Sequence, residues 1–237
     1  MWRTGITAVL VAATCLPAPG TARASGTGCP LPAFGPGASY RPTFVAGAHP
    51  AHVTNPWFPL RRGTTWVYTG VEDGRRTVDV VSVSRHVRTI NGVRTRVVHD
   101  RLYQAGRLAE RTRDYYAQDR CGNVWYFGED TAELDAAGRV TSREGTWHAG
   151  RDGAQPGVFM PARPRVGQRF RQEWLAGAAQ DVFRIVARSG DGLSTRETSA
   201  LEPGVVDAKR YVRGVGEVAE HSVRGGSDRL SLDAVLR

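Results

Sequence analysis

The stretch RTVDVVSVSRHVRTI-NG-VRTRVVHDRLYQ, residues 76–104, decides the fold. Two β-branched runs flank Asn91-Gly92, and both of these turn residues tolerate positive φ. The dipeptide therefore predicts a tight hairpin between a strand over 76–90 and its return over 93–104. Downstream, Ala105-Gly106 turns into a strand over 107–117, and Cys121-Gly122 leads into 123–127. Upstream, 64–71 reads as a strand. After Ala136-Ala137-Gly138 comes 139–148, then a loop rich in Gly and Pro over 149–164. Further strands are expected over 168–175, 181–188, 195–201, 208–212, 217–223 and 229–236. Apolar residues nowhere recur at helical spacing over a long stretch. Successive hairpins without an internal repeat or a dividing linker predict a mainly β, single-domain antiparallel meander, forming a strongly curved sheet or open barrel.

The N-terminus sets the compartment. Arg3 precedes an apolar run from Ile6 to Leu16, which is followed by Pro17, Pro19 and Ala22-Arg23-Ala24. A basic start, an apolar stretch of that length and an A-x-A site describe a secretory signal peptide cleaved near Ala24. The run is shorter than the roughly 20 apolar residues a membrane-spanning helix needs, and no later segment approaches that length. Neither Cys15 nor Cys29 follows a convincing lipobox. The expected division is a signal peptide over 1–24, a Pro- and Gly-rich arm over 25–60 and the β-domain over 61–237, destined for secretion or another extracytoplasmic site. Cleavage leaves two cysteines, Cys29 and Cys121. In an oxidising compartment such a pair predicts a disulfide that pins the arm to the body.

The formal charge of +9 becomes +7 once Arg3 and Arg23 are removed. All basic residues but Lys209 are arginine, and they are spread along the chain. That pattern points to a coding bias rather than to a nucleic-acid surface, so no nucleic-acid partner is expected. A basic exterior would still favour contact with anionic envelope components.

Period-two alternation sorts the strand faces. Over 107–116, Arg107, Arg111 and Arg113 share one face, which is best placed in water. Glu110, Asp114 and Tyr116 then point to the concave side. Over 139–144, Arg139 and Arg143 oppose Glu144, and over 168–175, Gln168, Phe170, Gln172 and Trp174 share a face. In Trp125-Tyr126-Phe127, Trp125 and Phe127 lie on one side and Tyr126 on the other. Aromatics mixed with amides and acids make a poor dry core, because buried polar groups need partners. Glu110, Asp114, Trp125, Glu144, Gln172 and Trp174 are therefore the expected ligand-binding residues, with the 149–164 loop as rim or lid. The alternative is that these acids pair with arginines of neighbouring strands inside a filled core.

Catalytic signatures are scarce. There is no G-x-S-x-G elbow, no phosphate-cradling glycine loop and no H-E-x-x-H. No metal site is expected, since His49 and His52 lack a third ligand, and no cofactor is expected. Glu110 and Asp114 sit four residues apart along one strand, about 13 Å between backbones at roughly 3.3 Å per residue. That is too far for a catalytic carboxylate pair. Cross-strand pairs, Glu110 with Glu144 or Asp114 with Glu129, keep a hydrolase-like enzyme open.

Several phrases form a specific set: Asn55-Pro56-Trp57-Phe58-Pro59-Leu60, Gly63-Thr64-Thr65-Trp66-Val67-Tyr68, Tyr116-Ala117-Gln118-Asp119, and 122–130 with the sequence GNVWYFGED. Together with Gly145-Thr146-Trp147-His148 and the loop 152–157, they resemble a group of uncharacterised exported bacterial proteins, over about 55–218. That resemblance implies export and carries no activity. Residues 209–216, KRYVRGVG, more weakly resemble the closing strands of half-barrel lipoproteins and lipoprotein carriers, which implies a curved sheet holding an apolar ligand. Acids and amides on the concave face depart from that pattern. The reading that results is an exported binding protein for a small or amphipathic ligand. Its rivals are a cofactor-free enzyme using cross-strand carboxylates and an envelope or surface interaction protein with a filled core.

Overall fold

Asn91 and Gly92 adopt φ of 47° and 75°, and Ile90 faces Val93 across them. Two more two-residue turns have the same signs: Asp73-Gly74 at 49° and 71°, and Ala105-Gly106 at 49° and 78°. Positive φ at both central positions matches the twist of the flanking strands. These three turns string the first four strands into a meander. The computed structural model describes residues 28–237, so the signal segment over 1–24 lies outside the described residues.

A short 3-10 turn, Gly37–Ser39, lies in the arm. The strands that follow are β1 (Thr65–Glu72), β2 (Arg75–Ile90), β3 (Val93–Gln104), β4 (Arg107–Gln118) and β5 (Val124–Leu134). Next come the short β6 (Val140–Ser142) and β7 (Trp147–His148), then β8 (Gln155–Met160), β9 (Arg169–Arg171) and β10 (Glu173–Trp174). The last five are β11 (Asp181–Ser189), β12 (Gly192–Ser199), β13 (Val206–Val212), β14 (Gly216–Arg224) and β15 (Arg229–Leu236). All pairings are antiparallel, in the order β10-β8-β5-β4-β3-β2-β1-β15-β14-β13-β12-β11-β9, with β6 and β7 laid on β5.

The two ends of that order are one piece of chain. Phe170 of β9 faces Phe183 of β11, whereas Glu173 of β10 faces Pro156 of β8. Only Gln172 separates the two strands, and its N–H bonds the Asp181 carbonyl. A segment that changes partner at Gln172 thus nearly closes the sheet into a barrel.

Four sequence expectations need correction. The strand over 123–127 continues to Leu134, because Gly128, at φ 135°, passes against the Trp147 carbonyl where a Cβ would collide. The strand over 139–148 is broken into β6 and β7 by a turn at Gly145, φ 86°. The 149–164 segment is not all loop, since it contains β8, which joins β5 to the closing segment. The run 168–175 is divided by the partner switch at Gln172.

The arm is structured and packs on the barrel. Ala46 bridges to Asp119, and the Cys29–Cys121 disulfide, with 5.9 Å between Cα atoms, ties the arm to the β4–β5 connection. Asn55 organises its last part. Its amide N–H donates to Gln118 Oε1 at 2.8 Å, its Nδ2 donates to the Gly122 carbonyl at 2.9 Å, and its Oδ1 accepts from the Trp57 N–H at 2.8 Å. Trp57 is buried, and Phe58 enters one end of the barrel, 4.5 Å from Phe159 and 5.2 Å from Tyr116 between ring centroids. The phrase over 55–60 is therefore a plug, on the side where β1 begins and where the Gly214 N–H bonds the Pro56 carbonyl.

Ala105 is the weak point of the turns, because an L side chain in the left-handed region costs about 1–2 kcal/mol. Ala105→Asn is expected to raise stability by about 0.5–1 kcal/mol in urea denaturation, with an unchanged m-value.

Candidate functional site

Alternation around a closed sheet brings every second residue inside, and the inside here is acidic. A cavity of about 320 Å³ lies in the barrel, bounded at one end by Phe58, Pro59 and Leu60 of the plug. β2 and β3 contribute Asp79, Val81, Val98 and Asp100; β4 and β5 contribute Asp114, Tyr116, Tyr126 and Glu129. The closing segment and β11 add Gln172, Glu173 and Asp181, and the remaining wall adds Glu197, Lys209, Glu217 and Glu220. Among the described residues, nine carboxyl groups and a single ammonium line this space, and no arginine does. Trp66, Tyr68, Tyr116, Tyr126, Phe58 and Phe159 make up its aromatic walls.

Lys209 is the hub of one side. Its Nζ lies 3.4 Å from Glu197, 3.5 Å from Glu220 and 3.8 Å from Glu217. Burial alone favours the neutral amine, but the three glutamates outweigh it and keep the ammonium charged. One positive charge cannot balance three carboxylates. Burial, opposed by Lys209 and reinforced by Glu220 and Glu197, pushes Glu217 up to about 8.

Among the described residues, the opposite side has no ammonium. Asp114 and Glu129 face each other directly across β4 and β5. Asp114 accepts a hydrogen bond from the Tyr126 hydroxyl at 2.7 Å, and Tyr126 stacks on Tyr116 at 4.8 Å. Burial first, and the charge of Asp100 second, push Asp114 up to about 8; burial and Asp114 push Glu129 up in turn. Glu173 rises to about 8 through burial and the neighbouring Asp181. Asp79 rises to about 10, through burial first and the Asp100 charge second.

The sequence-expected residues divide between this cavity and other places. Asp114 and Gln172 line it. Glu110 shares the face of Asp114 but lies further along β4, half-buried, accepting from the Thr112 hydroxyl at 3.2 Å. Trp125 sits on the other face of β5, fully buried beneath Phe44 of the arm, with its indole N–H on Asp119 Oδ2 at 3.1 Å. The aromatic that β5 turns into the cavity is Tyr126. Glu144 is exposed on the turn between β6 and β7, so it cannot pair with Glu110. Trp174 packs over Gly37, with the Arg171 guanidinium 4.5 Å from its ring centroid, because the switch at Gln172 reverses the faces of β10. His49 and His52 are exposed on the arm.

Outside the cavity, Asp130 is fully satisfied. It accepts from the Tyr115 hydroxyl at 2.5 Å and from Arg88 at 2.7 Å, and it meets His148 Nε2 at 2.9 Å. Burial works against its charge, but these donors hold it below the usual carboxylate range. Asp130 is thus a closed structural knot, whereas the cavity acids are short of donors.

Two expectations follow. Asp114, Glu173 and Glu217 hold protons in the folded state up to about pH 8 and release them near pH 4 when unfolded, so stability falls as pH rises through that window. Each group held protonated contributes about 1.4 kcal/mol per pH unit to the slope. Thermal melts are expected to show a Tm at pH 5 at least about 5 °C above that at pH 8.5, and Asp114→Asn flattens the profile. A flat wild-type profile would show these acids ionised and hydrated. Lys209→Met leaves three glutamates without a cation and is expected to cost about 3–5 kcal/mol at pH 7 by chemical denaturation.

No protein-family model matches the chain, and no curated protein sequence matches it. Among solved structures, the chain is similar to a Bacteroides fragilis protein named as exported, with a YmcC-like fold. The two are 12% identical, with a TM-score of 0.41 over 76% of this chain and 99% of that one. It is also similar to a Parabacteroides distasonis protein named as a lipoprotein, at 10% identity, with a TM-score of 0.40 over 77% and 99% of the respective chains. Neither likeness carries a function to this chain.

Proposed function

We propose that this chain is an exported binding protein that holds a small or amphipathic ligand inside its barrel. The carrying observation is the interior of about 320 Å³ itself, plugged at one end and lined by aromatic rings and by nine carboxyls that share one ammonium. Small-ligand sites are typically concave spaces of about 300–1,000 Å³ with apolar walls and a few convergent polar groups. A filled-core interaction protein has no reason to keep such a space. Export is supported by the signal-like sequence and by the Cys29–Cys121 disulfide, a bond that persists in oxidising compartments. A second reading, a cofactor-free hydrolase, is favoured by the facing acids Asp114 and Glu129, which have the chemistry of an acid and its conjugate base side by side.

Native mass spectrometry on protein from the exported fraction of its host, with a small-molecule thermal-shift screen beside it, tests both. The expected outcome is a discrete adduct lost on denaturation, or saturable one-to-one stabilisation by one class of compound. Both are expected to vanish in Val98→Trp, which fills the cavity from β3. A bare mass with no stabilising compound defeats the binding reading. Turnover of a chromogenic glycoside that disappears in both Asp114→Asn and Glu129→Gln establishes the enzyme instead.

A further inference from the structure

Charge is partitioned across this sheet more completely than folding requires. The chain carries a net charge of +9, yet the barrel interior holds nine carboxyls against Lys209 alone. Lys209 is already engaged by Glu197, Glu217 and Glu220. Among the described residues that leaves six without an ammonium: Asp79 and Asp100 on one side, and Asp114, Glu129, Glu173 and Asp181 on the other. An independent sign that something is missing comes from Asp79. It lines the cavity at 9% exposure, and its Oδ1 has no hydrogen-bond partner. A buried carboxyl oxygen without a donor is costly and calls for a partner such as a water, an ion or a ligand.

The surroundings narrow the class of donor. An interior of about 320 Å³ is roughly ten water volumes, far more than one metal ion fills. The acids without an ammonium lie beside Tyr116 and Tyr126, stacked 4.8 Å apart, and these lead to Phe159 and Phe58 at the plug. Carboxylates next to aromatic faces suit an ammonium head with an apolar body, through ion pairing and cation–π attraction. The route in is acidic as well. At the end opposite the plug, where β1 turns into β2, a cleft is rimmed by Glu72, Asp73, Glu202, Asp207 and Asp228 against Arg229, and Glu220 lines both that cleft and the interior. Such a mouth concentrates cations near its entrance.

We infer that the ligand of the barrel is a small organic ammonium with an apolar tail, its head seated among Asp79, Asp100, Asp114 and Glu129 and its tail against Tyr116, Phe159 and Phe58. This inference rests on the binding reading above and names its ligand class. The groups that face Asp79 are Glu72 and Tyr68 from β1, Asp100 from β3, and Glu217 from β14, with Lys209 of β13 beyond. An ammonium entering this set displaces protons that the acids hold when it is absent. Binding therefore releases protons and tightens as pH rises.

The test uses one six-carbon tail with three heads: hexylamine, hexanol and hexanoate, titrated calorimetrically into the mature protein at pH 6, 7 and 8, with calcium chloride as a further probe. Hexylamine is expected to bind one-to-one, at least tenfold tighter than hexanol, with an affinity that rises at least threefold per pH unit. Its heat is expected to vary with buffer ionisation enthalpy as protons are released. Asp79→Asn weakens it at least tenfold, and so does Asp114→Asn as a second variant should the first fail to fold. Glu144→Gln, on the exposed turn, leaves it unchanged. Equal binding of hexanol, preference for hexanoate, or binding of calcium alone overturns the ammonium class while the cavity reading stands. Hexylamine binding that ignores both interior variants places it on the surface and overturns the inference. If no head group binds and the library yields nothing, both readings fall.

Discussion

A sheet curled almost into a barrel must do something with every second residue, and here the near-closure turns acids inward. Everything else about the interior follows from the six residues Arg169–Trp174, which pair with β11 on one side and with β8 on the other. Without that segment the sheet would be open, its inner acids would face bulk water, and none would be forced to hold a proton. With it, Glu173 and Gln172 complete a ring of polar groups around a restricted space. The raised carboxyls are consequences of closure, whereas Lys209 meets its glutamates across the neighbouring strands β12 and β14.

Much of this architecture is legible in the sequence because turns and alternation are local. Asn91-Gly92 announces its hairpin, and the arginines of 107–113 announce which face of β4 meets water. Asp114 and Gln172 follow from that alternation. What fails is alternation itself, wherever the backbone departs from it: at Gly128, at the Gly145 turn that exposes Glu144, and at Gln172, which turns Trp174 outward. Trp125 is missed for a different reason. Its face is also buried, but under the arm, and no strand pattern records that a distant Pro-rich segment will cover it. Most of the cavity acids come from strands far apart in sequence, so their convergence is invisible until the sheet closes.

In a chain whose basic residues are otherwise all arginine, a single lysine is an exception to a strong bias. The structure gives it a physical reason. An ammonium is a compact charge with three donors on a flexible stem, and it can be shared among Glu197, Glu217 and Glu220 at 3.4–3.8 Å. A planar guanidinium fits paired, coplanar acceptors better than three converging ones. Lys209 marks the interior more sharply than any of the aromatic runs do.

A polar interior leaves the barrel short of the apolar burial that usually holds such folds together, and the arm compensates. Trp57, Val53 and Leu60 are buried where the arm meets the sheet, and Trp125 and Phe127 are buried under Phe44. Much of the apolar core therefore lies between arm and sheet rather than inside the barrel. The disulfide strengthens this arrangement. It joins residues 92 apart in sequence, and restricting a loop of that length in the unfolded chain is worth roughly 4–5 kcal/mol in the entropic account. The arm can thus be held in place while only its tip, Phe58 to Leu60, enters the cavity. By moving hydrophobic stabilisation to the outside of the sheet, the chain keeps its interior free for charge.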